Sequence, residues 1–173
     1  SGGEHLISHY IDMKQALYGT ANDLHGVQVG VATVHCLQLW EKVLALGPDS
    51  IDPDALADAQ PANEQIEKWA IEDWGADVAA EVIAQWKQKS RPRDVLRAEI
   101  TSFRDRLPQI REAVSKDLLP STTVANAIRE SGGPTAPEGM NAPIDEYRNA
   151  LLRARYIRNR FTILDLAAEL GAL

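Results

Sequence analysis

The 173-residue chain has the length of one ordinary domain and can bury roughly two-thirds of the surface it exposes when unfolded. It is 45% apolar and 25% charged with a formal net charge of −7, a balance that excludes global disorder and denies it a basic field for holding nucleic acid. No apolar run reaches the ~20 residues of a membrane span, and the single Cys36 has no partner thiol, so the expectation is an inert buried thiol in a reducing, cytoplasmic compartment.

Apolar residues recur at i, i+3, i+4 and strand-like alternation is nearly absent, which predicts an all-α chain folded as a multi-helix bundle of about eight to ten helices. The first helix is expected from Glu4 to about Leu17, with Leu6, Tyr10, Met13 and Leu17 on a buried stripe and His5, His9 and Asp12 on the adjoining one. It starts at once, without an initiator Met or a signal-like segment, the expectation being a chain cut from a longer one. From His25 to Leu46 the sequence is apolar almost all round, as in a helix at the centre of a bundle, and this segment is expected to be the most buried. Gly26 and Gly30 would let a neighbouring backbone come close, and Gly47-Pro48 ends the helix.

Residues 49 to 81 carry ten acidic residues against Lys68 alone and read as short helices with solvated faces, Ile66, Trp69, Ala79, Val82, Ile83 and Trp86 pointing inward. Pro92 opens a helix with Leu96, Ile100, Phe103 and Leu107 as its core stripe, and Pro108 and Pro120 are expected to break the chain beyond Leu107 into shorter segments. The Gly- and Pro-rich segment 131 to 143 is a loop, after which Ile144, Tyr147, Leu151 and Ala154 mark a further helix.

Chemistry concentrates in the histidines. His5 and His9, four apart, project the same way from one helix, a spacing that suits a shared metal site and that also arises by accident. His25 opens a helix, where the positive end of the dipole keeps an imidazole neutral and able to coordinate.

"GGEHLISHYIDM" followed by "LHGVQVGVAT" resembles the two metal-binding segments of the iron-dependent alcohol dehydrogenase and dehydroquinate synthase superfamily, and the terminal "NRFTIL" is similar to the ending of its sn-glycerol-1-phosphate dehydrogenases. The resemblance implies that residues 1 to 173 form the helical, metal-binding C-terminal domain of a two-domain enzyme that reduces dihydroxyacetone phosphate with NAD(P)H. It makes His5 and His25 the ligands of a divalent metal, zinc first with nickel or iron as alternatives, and puts His9 on the substrate or proton-relay side as the catalytic residue. It also implies a partner nucleotide-binding domain bringing an aspartate ligand and NAD or NADP, a small phosphorylated polyol or ketone as substrate, and no activity for this chain alone. Whether such a protein forms a homo-oligomer stays open. Two rivals remain: a non-catalytic helical interaction module, and a dehydroquinate synthase-like lyase, which would carry Glu where Val27 follows Gly26.

Other candidates have plainer readings. Arg148, Arg153, Arg155, Arg158 and Arg160 suit a solvated face, with a phosphate-bearing substrate as the alternative. His35 reads as a hydrogen-bonded core residue, Trp69, Trp74 and Trp86 as packing, and Asp12 as an exposed carboxylate, with the orientation of a histidine ring as its alternative.

Overall fold

The computed structural model describes residues 2–173, and these are all-helical: eight α-helices and three short 3-10 turns, with no strand among the described residues. The helices are α1 (Gly3–Tyr18), α2 (His25–Ala45), α3 (Pro53–Ala59), α4 (Asn63–Lys87), α5 (Arg93–Val114), α6 (Ser121–Glu130), α7 (Ile144–Arg153) and α8 (Ile163–Glu169). None is long and apolar enough to cross a membrane.

Helix α1 packs on α2 and α7, while α2 also meets α6 and α8. Leu6, Ile7, Tyr10 and Ile11 of α1 are almost wholly buried, whereas Leu17, expected on the same stripe, is 42% exposed at the far end of the helix. On α2 the face of Val31, Val34, Leu39 and Val43 is buried, but His25 and Gly26 at its start and Glu41, Lys42 and Ala45 toward its end are exposed. For its length α8 is the more enclosed element, with Ile163, Leu164, Asp165, Ala167 and Glu169 all buried. It starts at a capping box in which Thr162 accepts from the Leu164 amide and Asp165 accepts from the Thr162 amide.

The close approach expected at Gly26 and Gly30 occurs elsewhere. A Cβ on Gly26 would meet nothing within 4 Å and one on Gly30 only the Ile128 methyl, whereas at Gly3 it would stand 3.0 Å from Leu164 and 3.1 Å from the Cys36 sulfur. Here α1, α2 and α8 press together, which fixes the start of α1 and with it His5. Burial of Cys36 pushes its thiol up to about 12, in keeping with an inert core residue.

The acidic region also differs from expectation, since residues 63–87 form one long helix interrupted at Gly75, whose φ of +69° and ψ of 165° lie outside the helical region. The break lets Trp74 seat edge-on against Tyr10, ring centres 4.7 Å apart, while the far half carries Trp86 edge-on to Tyr156, a ring that Trp69 of the near half also meets. Pro108 does not break α5; it lies on the solvent face, so the carbonyl it frees one turn back can be hydrated.

Candidate metal centre

The rings of His5, His9 and His25 form a triangle, with centres 5.4 Å apart for His5 and His25, 5.9 Å for His9 and His25, and 6.3 Å for His5 and His9. Helix α1 supplies the first two from one face, and the first residue of α2 supplies the third. The loop between them folds back so that the two segments meet.

What surrounds the rings decides their tautomers. The Gln28 amide nitrogen faces two groups that can only accept, the Asp12 carboxylate at 3.1 Å and the Asp23 carbonyl at 2.9 Å. Its amide oxygen therefore faces Ser8, and the Ser8 hydroxyl donates its one proton there, at 2.6 Å. Ser8 Oγ also lies 2.8 Å from His25 Nδ1, so with its proton already committed it accepts, and His25 carries its hydrogen on Nδ1. The lone pair is left on Nε2. Asp12 Oδ2 lies 3.6 Å from the same Nδ1, beyond hydrogen-bond distance, so Asp12 acts on the ring through Gln28, from whose amide its Oδ1 accepts.

His5 follows the same logic with a stronger partner. Its Nδ1 lies 3.0 Å from Glu4 Oε1, a carboxylate oxygen that only accepts, so its Nε2 too is free to bind a ligand. The Gly2 amide donates to the same oxygen at 2.8 Å and holds the carboxylate in place. His9 is pushed below the ordinary histidine value, chiefly by burial and next by the charge of Arg158, and so is neutral at physiological pH.

These donors suit a divalent ion of the zinc type. Two imidazoles bound to one ion at ~2.1 Å stand with ring centres roughly 5 to 5.5 Å apart, the separation of His5 and His25. The arrangement stops short of full coordination geometry, for among the described residues no group of three or more His, Cys, Asp or Glu side chains is placed to hold an ion.

Ser8 and Gln28, the residues that fix His25, are absent from the sequence-level candidates. The sequence does carry a signal for Gln28, as the one amide in the apolar run from Val27 to Val34, and it is fully buried. His35 is bonded to the Tyr147 hydroxyl at 2.7 Å, as a core histidine should be. The five arginines do not share one solvated face: Arg148 is an exposed partner of Asp145, Arg153 pairs with Asp73 at 3.0 Å, and Arg155 is only 5% exposed.

Neither the protein-family models, the curated proteins nor the solved structures contain a match to this chain.

Proposed function

We propose that this chain is the metal-binding helical part of an NAD(P)-dependent oxidoreductase of the sn-glycerol-1-phosphate dehydrogenase kind, acting on a small phosphorylated ketone or polyol. The observation that supports it is the meeting of three imidazoles from two helices, two of them tied down through Nδ1 with Nε2 left as the ligating atom. The quoted resemblance assigns His5 and His25 to the metal, and their tautomers suit that role.

A divalent ion held there would polarise the substrate carbonyl and acidify the corresponding hydroxyl. Glu4 and Ser8 keep the two rings aimed, so that neither imidazole has to reorient on binding. Neutral His9, within 6.3 Å of both rings by centre, accepts the hydroxyl proton as the alcohol is oxidised and returns it as the ketone is reduced. The nicotinamide platform and a carboxylate ligand belong, in this reading, to a nucleotide-binding partner domain.

The test is cobalt(II) titration followed by visible absorption, with His25→Ala and His5→Ala beside the unaltered chain. Because the third ligand belongs to the partner domain in this reading, the chain alone should bind cobalt weakly, with a d–d band that appears only at excess metal and that both substitutions abolish. Mixed with a nucleotide-binding domain and NADPH, the chain should turn over dihydroxyacetone phosphate, and His9→Ala should lower turnover while leaving the cobalt band in place. A chain that binds no cobalt, or binds it equally without His5 and His25, refutes the proposal.

A further inference from the structure

Away from the histidines a cavity of about 280 Å³ opens between the starts of α4 and α5, the turn Ala154–Tyr156 and the end of α8, and it shares no residue with the histidine cluster. Its most unusual wall is Arg155. This side chain is 95% buried, yet among the described residues no carboxylate pairs with it. Nη2 donates to the Tyr156 hydroxyl at 2.6 Å and reaches Gln60 Oε1 only at 3.4 Å, and buried Nε has no hydrogen-bond partner. The Tyr156 ring face, 4.7 Å from the Arg155 guanidinium carbon, and the charge of Glu169 replace lost hydration only in part, so a guanidinium with no carboxylate at ion-pair distance is costly here.

The charges around the cavity do not cancel. Arg91 is balanced by Glu169 and by Glu99, and neighbouring Lys89 is balanced by Asp165. Arg93 reaches only backbone carbonyls, those of Ala57 and Gln60. Counted together, Lys89, Arg91, Arg93 and Arg155 face Asp165, Glu99 and Glu169, so the cavity keeps an excess of positive charge, and neither Arg93 nor Arg155 has a carboxylate at ion-pair distance among the described residues. The 63–74 half of α4 and the 22-residue α5 also begin at the cavity, at Asn63 and Arg93, and neither has a side-chain cap on its first amides. Free amides at a helix start, with the positive end of the dipole, favour an anion. Trp86 supplies an apolar wall, held by its indole N–H bond to Asn63 Oδ1 at 3.2 Å.

We infer that this cavity binds a phosphate dianion carried by a small phosphomonoester, gripped by Arg155 and Arg93 and by the amides that open α4 and α5. Two guanidiniums without an ion-pair partner offer several fixed donors, which suit the three oxygens of a phosphomonoester, carrying about −1.5 to −2 at neutral pH, better than the two oxygens of a carboxylate. The volume is at the small end of ligand pockets, which limits the organic part to a few carbons lying against Trp86. The inference draws nothing from the proposed metal centre and stands if that reading fails.

The test is calorimetric titration of the chain with inorganic phosphate and, separately, with acetate at neutral pH. Alongside it the four tryptophan indole N–H resonances are followed by NMR. Expected are saturable one-to-one phosphate binding, acetate binding weaker by about tenfold or more, and a phosphate-dependent shift of the Trp86 resonance that exceeds those of Trp40 and Trp69. Arg155→Met should weaken phosphate binding by a similar factor while melting no lower than the unaltered chain in phosphate-free buffer, since it removes an unpaired buried charge. Should that variant fail to fold, Arg93→Met and the Trp86 shift carry the decision. Phosphate that does not saturate where a millimolar site would fill, acetate that binds as well, or a Trp86 resonance that stays still overturns the inference.

Discussion

Ser8 Oγ sits 2.8 Å from His25 Nδ1 and 2.6 Å from Gln28 Oε1, joining the middle of α1 to the first turn of α2 in one relay that is buried at Ser8 and Gln28 and exposed at His25. Ser8→Ala would remove the acceptor for His25 N–H and leave the Gln28 oxygen buried without a donor. The expected cost is about 1 to 3 kcal/mol of stability, read as a lower urea midpoint. Cobalt affinity should fall by about 10 to 100-fold, the usual effect of losing a partner that orients a metal-bound histidine. A loss of stability with unchanged metal affinity would show that Ser8 only packs the helices.

Gly75 has a φ of +69° and a ψ of 165°, a region that residues with a Cβ scarcely enter. Nothing would touch an added Cβ there, so the penalty of Gly75→Ala is backbone strain alone, about 1 to 3 kcal/mol. Gly47 makes the contrast, since it also has open space around it but a φ of −79°, which alanine adopts freely. Gly47→Ala should be neutral or stabilise by up to about 1 kcal/mol, through a less disordered unfolded chain. Thermal melts of the two variants side by side check both signs.

How far the fold is legible in the sequence depends on the physics of each residue. The all-helical class, the stripe Leu96, Ile100, Leu107 and the caged His35 come from periodicity, which reports which face of a helix is apolar. Periodicity says nothing of where a helix ends relative to its neighbours, and so it buries Leu17 and the start of α2, which the fold leaves exposed. Proline and glycine read as stops because their local cost is known. Yet Pro108 can remain in α5 by facing water, and Gly75 can turn α4 without ending it, because tertiary packing on either side outweighs that cost. The meeting of His5, His9 and His25 is an expectation of the resemblance, while the Ser8 and Gln28 relay and the unpaired Arg155 depend on contacts between distant segments that spacing does not encode.

Half-buried His35 and buried Glu169 should give opposite slopes in the dependence of stability on pH. Burial lowers His35 below the ordinary value of 6.5, so the unfolded chain binds this proton more readily. The stability His35 contributes is complete above 6.5 and falls away as the pH drops toward its folded value. Burial raises Glu169 from 4.5 to about 7 despite its pairing with Arg91, so here the folded chain holds the proton more tightly. Its contribution is complete below 4.5 and is lost as the pH rises through about 7. Urea unfolding from about pH 4.5 to 8 should show that Glu169→Gln gains on the unaltered chain as pH rises, and that His35→Phe gains on it as pH falls. Parallel curves for all three proteins would contradict both assignments.

The segment that carries Arg155 is itself anchored by Lys89. This ammonium is only 9% exposed and meets Asp165 Oδ1 at 2.7 Å, the Arg155 carbonyl at 2.5 Å and the Arg160 carbonyl at 2.9 Å, filling its three donor positions. Burial still lowers its pKa, so the bonds do not fully replace lost hydration. Removing the ammonium with Lys89→Met strands Asp165, which is 1% exposed, as an uncompensated buried charge, and should cost about 3 to 5 kcal/mol. Asp165→Asn alone should also be costly, because it weakens the Thr162 capping box as well as the pair. Combining the two removes both charges at once, so the double variant should be less destabilised than the sum of the singles, with a coupling of about 1 to 3 kcal/mol in a double-mutant cycle. If the tether positions Arg155, Lys89→Met should also weaken phosphate binding in conditions where it remains folded. Additive losses with unaltered phosphate affinity would mean that Lys89 is held by its carbonyl contacts alone and that the turn at Arg155 needs no anchor.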